Sequence, residues 1–377
     1  MKKIAVNLIF MLICSIHINA FASDHIGEVE EVVLDSQILD EKRKLVVYLP
    51  ATYKNDTESY PVMYITDGDI QGGHTSGTLD FLAKFDQAPS MIVVGIVNPS
   101  HKRGKELTLA NKGNSDLESL AGADLFLTFV EKEVIPFIKA RYRTLEYQAL
   151  SGTSHGGQFA INVLVKRPNL FNGVIAISPS LYWNNNELLG LAEEAMKGQE
   201  LIGRLFISIA DEEPTMTTPF QKFGELIKKY PNPNLNVSIK NFDDESHDST
   251  TLLGQYYGIK HLFPNWAIPK TPQTLADLQS IFTARSELLN QLMVIPEDRA
   301  NGYGQWLQYL NRKEDALALF KWNRDTYSQS FNAHKALIKS YLHFKLASKA
   351  KAALIEALKT LNKLDPKQKQ ELESLLA

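Results

Sequence analysis

Cysteine is almost absent from this sequence, since Cys14 is the single example in 377 residues. It lies in an N-terminal stretch with the features of a leader, so the mature chain would contain no cysteine. Disulfide bonds, thiol catalysis and cysteine-based metal sites are therefore excluded. An excess of positive charge is also lacking, because 40 Lys and Arg residues face 43 Asp and Glu residues, for a formal net charge of −3. Binding of nucleic acid, which needs a basic surface, is not expected.

Hydrophobic runs long enough to cross a bilayer are missing as well. The N-terminal run at residues 4–18 is shorter than the ~20 residues that a membrane-spanning helix needs. Lys2 and Lys3 precede this run and Ala20-Phe21-Ala22 follows it, which is the pattern of a cleaved secretion signal. We therefore predict a signal peptide over residues 1–22, cleaved after Ala22. The mature protein would be periplasmic or secreted and would have no membrane span.

Short apolar runs alternate with longer amphipathic stretches from about residue 27 to about residue 265. The runs that we interpret as strands are residues 44–49, 62–66, 91–97, 147–150, 173–177, 205–209 and 237–241. Between them, stretches such as residues 123–141 carry apolar side chains at helical spacing. This alternation predicts a mostly parallel sheet covered by helices, in which ligands bind at the carboxyl ends of the strands.

The composition changes after this region. Pro264, Pro269 and Pro272 mark a linker, and the chain beyond it is almost entirely helical in pattern. A weak repeat with a spacing of about 34 residues, typical of tetratricopeptide helix pairs, relates several positions. The related pairs are Leu307 and Tyr341, Leu310 and Phe344, Ala316 and Ala350, and Phe320 and Leu354. We predict a small all-helical, tetratricopeptide-like region over residues 267–377, a candidate surface for a protein partner. The alternative is an ordinary helical hairpin packed on the preceding domain.

The most specific motif is the segment Ser151-Gly152-Thr153-Ser154-His155-Gly156-Gly157, which matches G-x-S-x-G. It directly follows the predicted strand at residues 147–150 and precedes a helical pattern at residues 159–165. In α/β-hydrolases this motif forms a strained turn between a strand and a helix, and the turn presents the serine. The sequence therefore predicts an α/β-hydrolase fold over residues 23–266, with Ser154 as the nucleophile.

A serine hydroxyl needs a base to accept its proton, and nine histidines are available. In this fold the histidine follows the last strand, after the nucleophile and the acid in chain order. His247 satisfies this order, because a short polar loop separates it from the predicted strand at residues 237–241. His261 falls late in the helical pattern that follows, which is typical of a packing or surface residue. His155 adjoins the serine, but at that position the backbone amide is the useful group. We predict His247 as the general base.

The acid that orients the imidazole belongs just after the predicted strand at residues 205–209. Three carboxylates follow that strand, at Asp211, Glu212 and Glu213. Their spacing alone does not select one of them.

Acyl transfer also requires donors for the tetrahedral oxyanion. We predict the backbone amides of His155 and Asp69, the latter in the loop after the predicted strand at residues 62–66. A calcium loop beginning at Asp67 is the competing interpretation, and it fails because Thr78 stands where a bidentate glutamate is required. No phosphate-binding or dinucleotide motif is present, and no cofactor or metal is expected.

With these residues placed, the chain resembles the esterase family that includes esterase D, feruloyl esterases, mycolyltransferases and enterobactin-type siderophore esterases, and it is most similar to the periplasmic siderophore-esterase branch. The segments that carry the resemblance are Leu49-Pro50, Tyr60-Pro61-Val62-Met63-Tyr64 with Asp67-Gly68, Val94-Gly95-Ile96, Glu133-Val134-Ile135-Pro136 with Tyr142-Arg143-Thr144, the serine motif, Ile177-Ser178-Pro179-Ser180-Leu181-Tyr182-Trp183, Glu245-Ser246-His247-Asp248-Ser249 and Leu262-Phe263.

The resemblance implies a cofactor-free carboxylic-ester hydrolase that acts through an acyl-serine intermediate. Alignment with some relatives points to Glu213 as the acid, which we select, and alignment with others points to Glu212. Some siderophore esterases work with little help from an acid, so a Ser–His dyad is the further alternative.

The substrate inferred from the resemblance is a siderophore ester of the catecholate trilactone type. Such a ligand is anionic when it holds iron, and Arg103, in a basic run after the predicted strand at residues 91–97, is a candidate to bind it. Trp183 is a candidate to stack on an aromatic acyl group, although a packing role explains it equally well. Aromatic or acetyl esters of other small molecules or polysaccharides are the alternative substrates. A non-catalytic protein that binds partners through its helical region is a third interpretation.

Overall fold

The computed structural model describes residues 27–109, 122–271 and 273–376. The predicted signal peptide and Cys14 lie outside the described residues. Within those three ranges, none of the helices combines the length and the apolar character needed to cross a membrane.

Eight strands form one sheet in the order β1-β2-β4-β3-β5-β6-β7-β8. The strands are β1 (Val29–Ser36), β2 (Glu41–Tyr48), β3 (Tyr60–Thr66), β4 (Ile92–Ile96), β5 (Thr144–Thr153), β6 (Gly173–Ile177), β7 (Gly203–Ala210) and β8 (Leu235–Phe242). β2 pairs antiparallel with β1 and with β4, and every other neighbouring pair is parallel. The mostly parallel sheet predicted from the sequence is confirmed.

Helices follow the strands and cover both faces of the sheet. They are α1 (Gly68–Lys84), α2 (Ser100–Leu107), α3 (Ala123–Phe129), a π-helical turn (Val130–Val134), α4 (Ile135–Arg141), α5 (His155–Lys166), α6 (Trp183–Lys197), α7 (Pro214–Lys229) and α8 (Thr250–Leu262). Because side chains alternate along a strand, Tyr64 of β3 joins one buried cluster and Ile65 joins the other. Burial on both faces explains why β3 to β7 appear in the sequence as continuous apolar runs.

The C-terminal region contains six further helices among the described residues. They are α9 (Leu275–Leu289), α10 (Glu297–Tyr309), α11 (Lys313–Thr326), α12 (Phe331–His343), α13 (Ala347–Thr360) and α14 (Pro366–Ser374). The helical character of this region is confirmed. The α10–α11 pair and the α12–α13 pair begin at the spacing of the weak sequence repeat, and the helices bury a separate core that includes Leu307, Phe320 and Tyr341.

The helical region packs against the end of the sheet where the parallel strands begin. Arg285 of α9 donates to Asp86 at 3.0 Å and to the carbonyl oxygen of Trp266 at 3.1 Å. A cavity of about 560 Å³ lies at this junction, lined by Tyr60 and Leu145 from the starts of β3 and β5 and by residues of the helical region. The helical region therefore docks at the amino ends of the strands, opposite the edge where α/β proteins bind ligands.

Candidate active site

Ser154 occupies the turn between β5 and α5 in a backbone conformation that is rare for a residue with a side chain. Its φ is 60° and its ψ is −119°. The turn is held by hydrogen bonds from the Ser154 amide to the carbonyl oxygen of Ile177 at 2.9 Å and from the Gln158 amide to the Ser154 carbonyl oxygen at 3.0 Å. A Cβ atom at Gly152 would lie 2.2 Å from the carbonyl oxygen of Gly156, so the turn requires glycine there. Strain of this kind persists where the surroundings enforce it, as they do at active sites.

His247 lies in the loop between β8 and α8, and its Nδ1 is 3.2 Å from Oε1 of Glu212. Glu212 is the second residue after β7, and its side chain is only 4% exposed. The contact with Glu212 raises the pKa of His247 above its ordinary value, against the opposing effect of burial. Burial raises the pKa of Glu212, but the contacts with His247 and Ser178 outweigh it and bring that pKa below its usual value. Each group thus favours the charged form of the other.

Glu213, the acid selected from the sequence, does not contact His247. It is exposed and precedes α7, where its carbonyl oxygen accepts the Met216 amide at 2.8 Å. Pro214 at the start of α7 holds Glu213 in an extended conformation, with φ −58° and ψ 154°. Successive side chains of an extended segment point in opposite directions, so a shift of one residue moves the carboxylate from the imidazole to solvent. Of the three carboxylates considered from the sequence, Glu212 is the one that the structure places against His247.

The two amides predicted for the oxyanion lie in the first turns of helices that follow neighbouring strands. Asp69 is in the first turn of α1, and His155 is the first residue of α5. Amides in a first turn have no carbonyl partner within their own helix and are available to an anion. Asp67, which precedes α1, adopts the left-handed conformation with φ 54° and ψ 44°. Their joint role as oxyanion donors stays a prediction.

The His155 side chain is a half-buried neighbour of the site. Burial, together with the nearby charges of Arg103 and His247, lowers its pKa to about 4. It is therefore neutral near pH 7. Its ring meets the Trp183 ring edge to face, with 5.4 Å between the centroids, and Trp183 Nε1 donates to the carbonyl oxygen of Leu109 at 3.0 Å. Trp183 thus packs against the site, and its indole N–H is already engaged in a hydrogen bond.

Arg103 of α2 reaches the site from the side of β4. Its Nε and Nη2 donate to the two carboxylate oxygens of Asp67 at 2.7 and 2.9 Å, and Nη2 lies 3.4 Å from the carbonyl oxygen of Thr153. The guanidinium charge adds to the lowering of the His155 pKa and opposes the rise in the His247 pKa. The structure therefore brings Arg103, as well as Trp183, to the neighbourhood of Ser154.

Two serines at the site were not singled out from the sequence. Ser180 Oγ lies 3.4 Å from Ser154 Oγ, and the Ser180 amide donates to the Ser154 carbonyl oxygen at 3.1 Å. Ser178, with φ 41°, contributes the hydroxyl that favours ionised Glu212. The sequence feature that could have indicated them is their position just after β6, because ligands bind at the carboxyl edge of such a sheet.

No group of three or more His, Cys, Asp or Glu side chains able to hold a metal occurs among the residues that the structure describes.

The parallel sheet, the strained serine between strand and helix, and the late histidine define an α/β-hydrolase. A family model described as "Putative esterase" matches residues 36–250. The chain belongs to this esterase family.

Two curated relatives match shorter segments. A siderophore triacetylfusarinine C esterase of Aspergillus fumigatus is 46% identical over 136 residues, which are 33% of this chain and 46% of the relative. A siderophore enterobactin esterase of Emericella nidulans is 37% identical over 92 residues, which are 24% of this chain and 30% of the relative. The chain thus spans between about a third and a half of the length of these relatives.

Two solved structures match most of the chain. An IroE-like serine hydrolase from Shewanella oneidensis has a TM-score of 0.68 and 28% identity, covering 80% of this chain and all of that one. An uncharacterised protein from Capnocytophaga ochracea has a TM-score of 0.69 and 17% identity over 93% of this chain and 98% of that one. The second likeness shows the fold alone.

Proposed function

We propose that the protein is a serine carboxylic-ester hydrolase with Ser154, His247 and Glu212 as its catalytic triad. The observation that carries the proposal is the strained Ser154 between β5 and α5, together with the His247–Glu212 pair that arrives from the ends of β8 and β7. A strained serine turn combined with an imidazole and a carboxylate in this chain order is the arrangement that acyl transfer requires.

The proposed roles rest on the contact between His247 and Glu212 and on the chain order of the three residues. Glu212 at Nδ1 orients His247 so that the other ring nitrogen is free to accept the proton of Ser154. The serine oxygen attacks the ester carbonyl carbon, and the amides of Asp69 and His155 stabilise the oxyanion. Collapse of the tetrahedral intermediate breaks the bond to the alcohol, which takes the proton from His247. Water, activated by the same imidazole, then attacks the acyl-serine carbonyl and releases the acid.

The substrate we propose is a siderophore ester, with a catecholate trilactone as the leading example. Two relatives are described as siderophore esterases, and the guanidinium of Arg103, which stays 29% exposed while it pairs with Asp67, offers positive charge to an anionic ligand. Aromatic or acetyl esters of other small molecules or polysaccharides are the second candidate, favoured by the indole of Trp183 at the site. We further propose export by cleavage after Ala22, and a partner-binding role for a tetratricopeptide-like arrangement of the C-terminal helices.

Labelling with a fluorophosphonate and hydrolysis assays test this proposal. We expect the wild-type protein to be labelled and Ser154→Ala not to be. Failure of the wild type to react, or equal labelling of both, would leave only a non-catalytic role. Rates on a catecholate trilactone, aryl esters and acetylated sugars then rank the substrates. A trilactone hydrolysed no faster than the acetylated sugars would contradict the siderophore assignment but not the esterase one.

A further inference from the structure

A chain of buried polar side chains ends at the backbone of the loop that precedes α1. The amide of Asp67 donates to Asn98 Oδ1 at 3.0 Å, and Asn98 Nδ2 donates to Glu106 Oε2 at 2.7 Å. Glu106 in turn accepts two hydrogen bonds from Arg43, one of them from Nη2 at 2.9 Å. All four residues are less than a tenth exposed. These hydrogen bonds thus connect Arg43 of β2 and Glu106 of α2, through Asn98 after β4, to Asp67 at the start of α1.

Arg43 is held from several sides at the far end of this chain. Its Nη1 donates to Glu41 at 2.8 Å and its Nη2 to the carbonyl oxygen of Val97 at 2.7 Å. The guanidinium carbon lies 5.7 Å from the ring centroids of both Phe126 and Phe129. Because these contacts restrain the Arg43 guanidinium, the guanidinium in turn fixes the position of the Glu106 carboxylate.

Stability alone is a weak explanation for such a network. Removing a carboxylate and a guanidinium from water has a large desolvation cost, and apolar residues of similar volume often serve a core as well or better. What a polar chain provides that an apolar core does not is direction, since each hydrogen bond fixes both an angle and a distance. Here the last of those bonds is made to one particular backbone amide.

The position of that amide bears on the chemistry. Asp67 adopts the left-handed conformation and precedes α1, whose first turn contains Asp69. An oxyanion donor must lie about 2.7–3.1 Å from the developing charge, and displacements of ~1 Å are costly to the rate. Arg103 fixes the Asp67 carboxylate, and Asn98 fixes its backbone. The two interactions together set where α1 begins.

We propose that Asn98, Glu106 and Arg43 are positioning residues that aim the oxyanion-binding amide of Asp69, acting through the backbone of Asp67. This inference rests on the proposed esterase function. None of the three contacts the substrate carbonyl in this role. They fix the loop geometry before the ester binds, so their contribution belongs to the transition state rather than to ground-state binding.

Asn98→Ala tests the proposal with a short neutral aryl ester, p-nitrophenyl acetate. We expect kcat to fall about 10–100-fold with KM within about twofold, because a misplaced donor fails only when the oxyanion forms. Inhibition by phenylboronic acid, which forms a tetrahedral adduct with the serine, should weaken by a similar factor. Asn323→Ala is the matched control, because Asn323 is a fully buried asparagine that bonds Asn301 and Glu297 within the helical region. Its kcat should equal that of the wild type.

A double variant separates positioning from loss of fold. Asn98→Asp places a second carboxylate against Glu106 and should lose activity, whereas Asn98→Asp with Glu106→Gln exchanges the acid and the amide at the same total charge. We expect the double variant to recover at least about tenfold in kcat over the single variant. If Asn98→Ala does not fold, this pair carries the test.

Three results would overturn the proposal: unchanged kcat in folded Asn98→Ala, a loss confined to KM, or equal kcat in the single and double variants. A wild-type protein that neither hydrolyses esters nor reacts with fluorophosphonates would instead contradict the proposed function itself.

Discussion

His247 must be neutral to accept a proton, and its contact with Glu212 sets the pH at which this occurs. The pKa of His247 is raised, so kcat/KM should rise with pH through an inflection above 6.5, the ordinary value for histidine. Glu212→Gln removes the charge that stabilises the imidazolium. We expect it to lower kcat by about 10²-fold or more and to move the inflection to lower pH. The kcat/KM profile from about pH 5 to pH 9 measures both effects.

Glu213→Gln is the matched control for that experiment, because it makes the same chemical change one residue away on an exposed side chain. It should leave both kcat and the inflection unchanged. Loss of activity in Glu213→Gln, with Glu212→Gln fully active, would restore the assignment made from the sequence. Full activity in both variants would indicate a Ser–His dyad.

Arg103 acts on the same imidazole with the opposite sign. Its charge lowers the pKa of His247, so Arg103→Met should shift the kcat/KM inflection to higher pH. It should also weaken kcat/KM for an anionic ester by about tenfold more than for a neutral one. Lys105→Met is the control, because Lys105 is an exposed lysine of the same helix. An equal loss on both esters would mean that Arg103 serves only to hold Asp67.

Ser154 and His247 stay predictions. The sequence could propose both because each has a pattern around it, a glycine-flanked turn in one case and a position after the last strand in the other. The choice between Glu212 and Glu213 could not be made in this way. It depends on how the backbone leaves β7 and enters α7 at Pro214. Because side chains alternate along an extended segment, a shift of one residue changes which carboxylate faces His247. Asn98 was missed for a similar reason, since its role exists only through a contact with a distant backbone amide.

Among the strands, the degree of burial determined which ones could be predicted from the sequence. Strands β3 to β7 are buried on both faces and gave clear apolar runs. β1 was not predicted, because it is an edge strand whose inward residues are only partly buried, so its pattern alternates weakly. The helix expected over residues 123–141 is present but is interrupted by the π-helical turn Val130–Val134. The spacing of apolar residues in the sequence does not predict this turn.

The turn from β3 into α1 depends on the close approach of two backbones. A Cβ atom at Gly68 would lie 2.2 Å from the carbonyl carbon of Gly95 in β4. Gly68→Ala should therefore lower the free energy of unfolding by about 1–3 kcal/mol and reduce kcat by displacing the Asp69 amide. Gly77→Ala in the same helix has open space around it and should raise stability by up to about 1 kcal/mol. Urea unfolding measures both, and equal stability of the two variants would contradict the packing argument.

For the molecule as a whole, the position of the helical region limits its role in catalysis. It contacts the amino ends of the strands through Arg285, Asp86 and Trp266, whereas Ser154 and His247 lie beyond the carboxyl ends. A lid would have to stand at the other edge of the sheet. We therefore expect the helical region to contribute to stability rather than to the chemistry at Ser154.

Arg285→Ala tests this separation of stability from catalysis. Arg285 is 5% exposed, lies over the rings of Trp266 and Phe282, and pairs with Asp86, so its removal leaves a carboxylate without its buried partner. We expect the free energy of unfolding to fall by about 3 kcal/mol, with kcat within about twofold of the wild type. Arg299→Ala removes an arginine that contacts the same Asp86 at 3.4 Å but is 42% exposed, and it should cost less than about 1 kcal/mol. A large fall in kcat for Arg285→Ala at unchanged stability would show that the helical region communicates with the active site across the sheet.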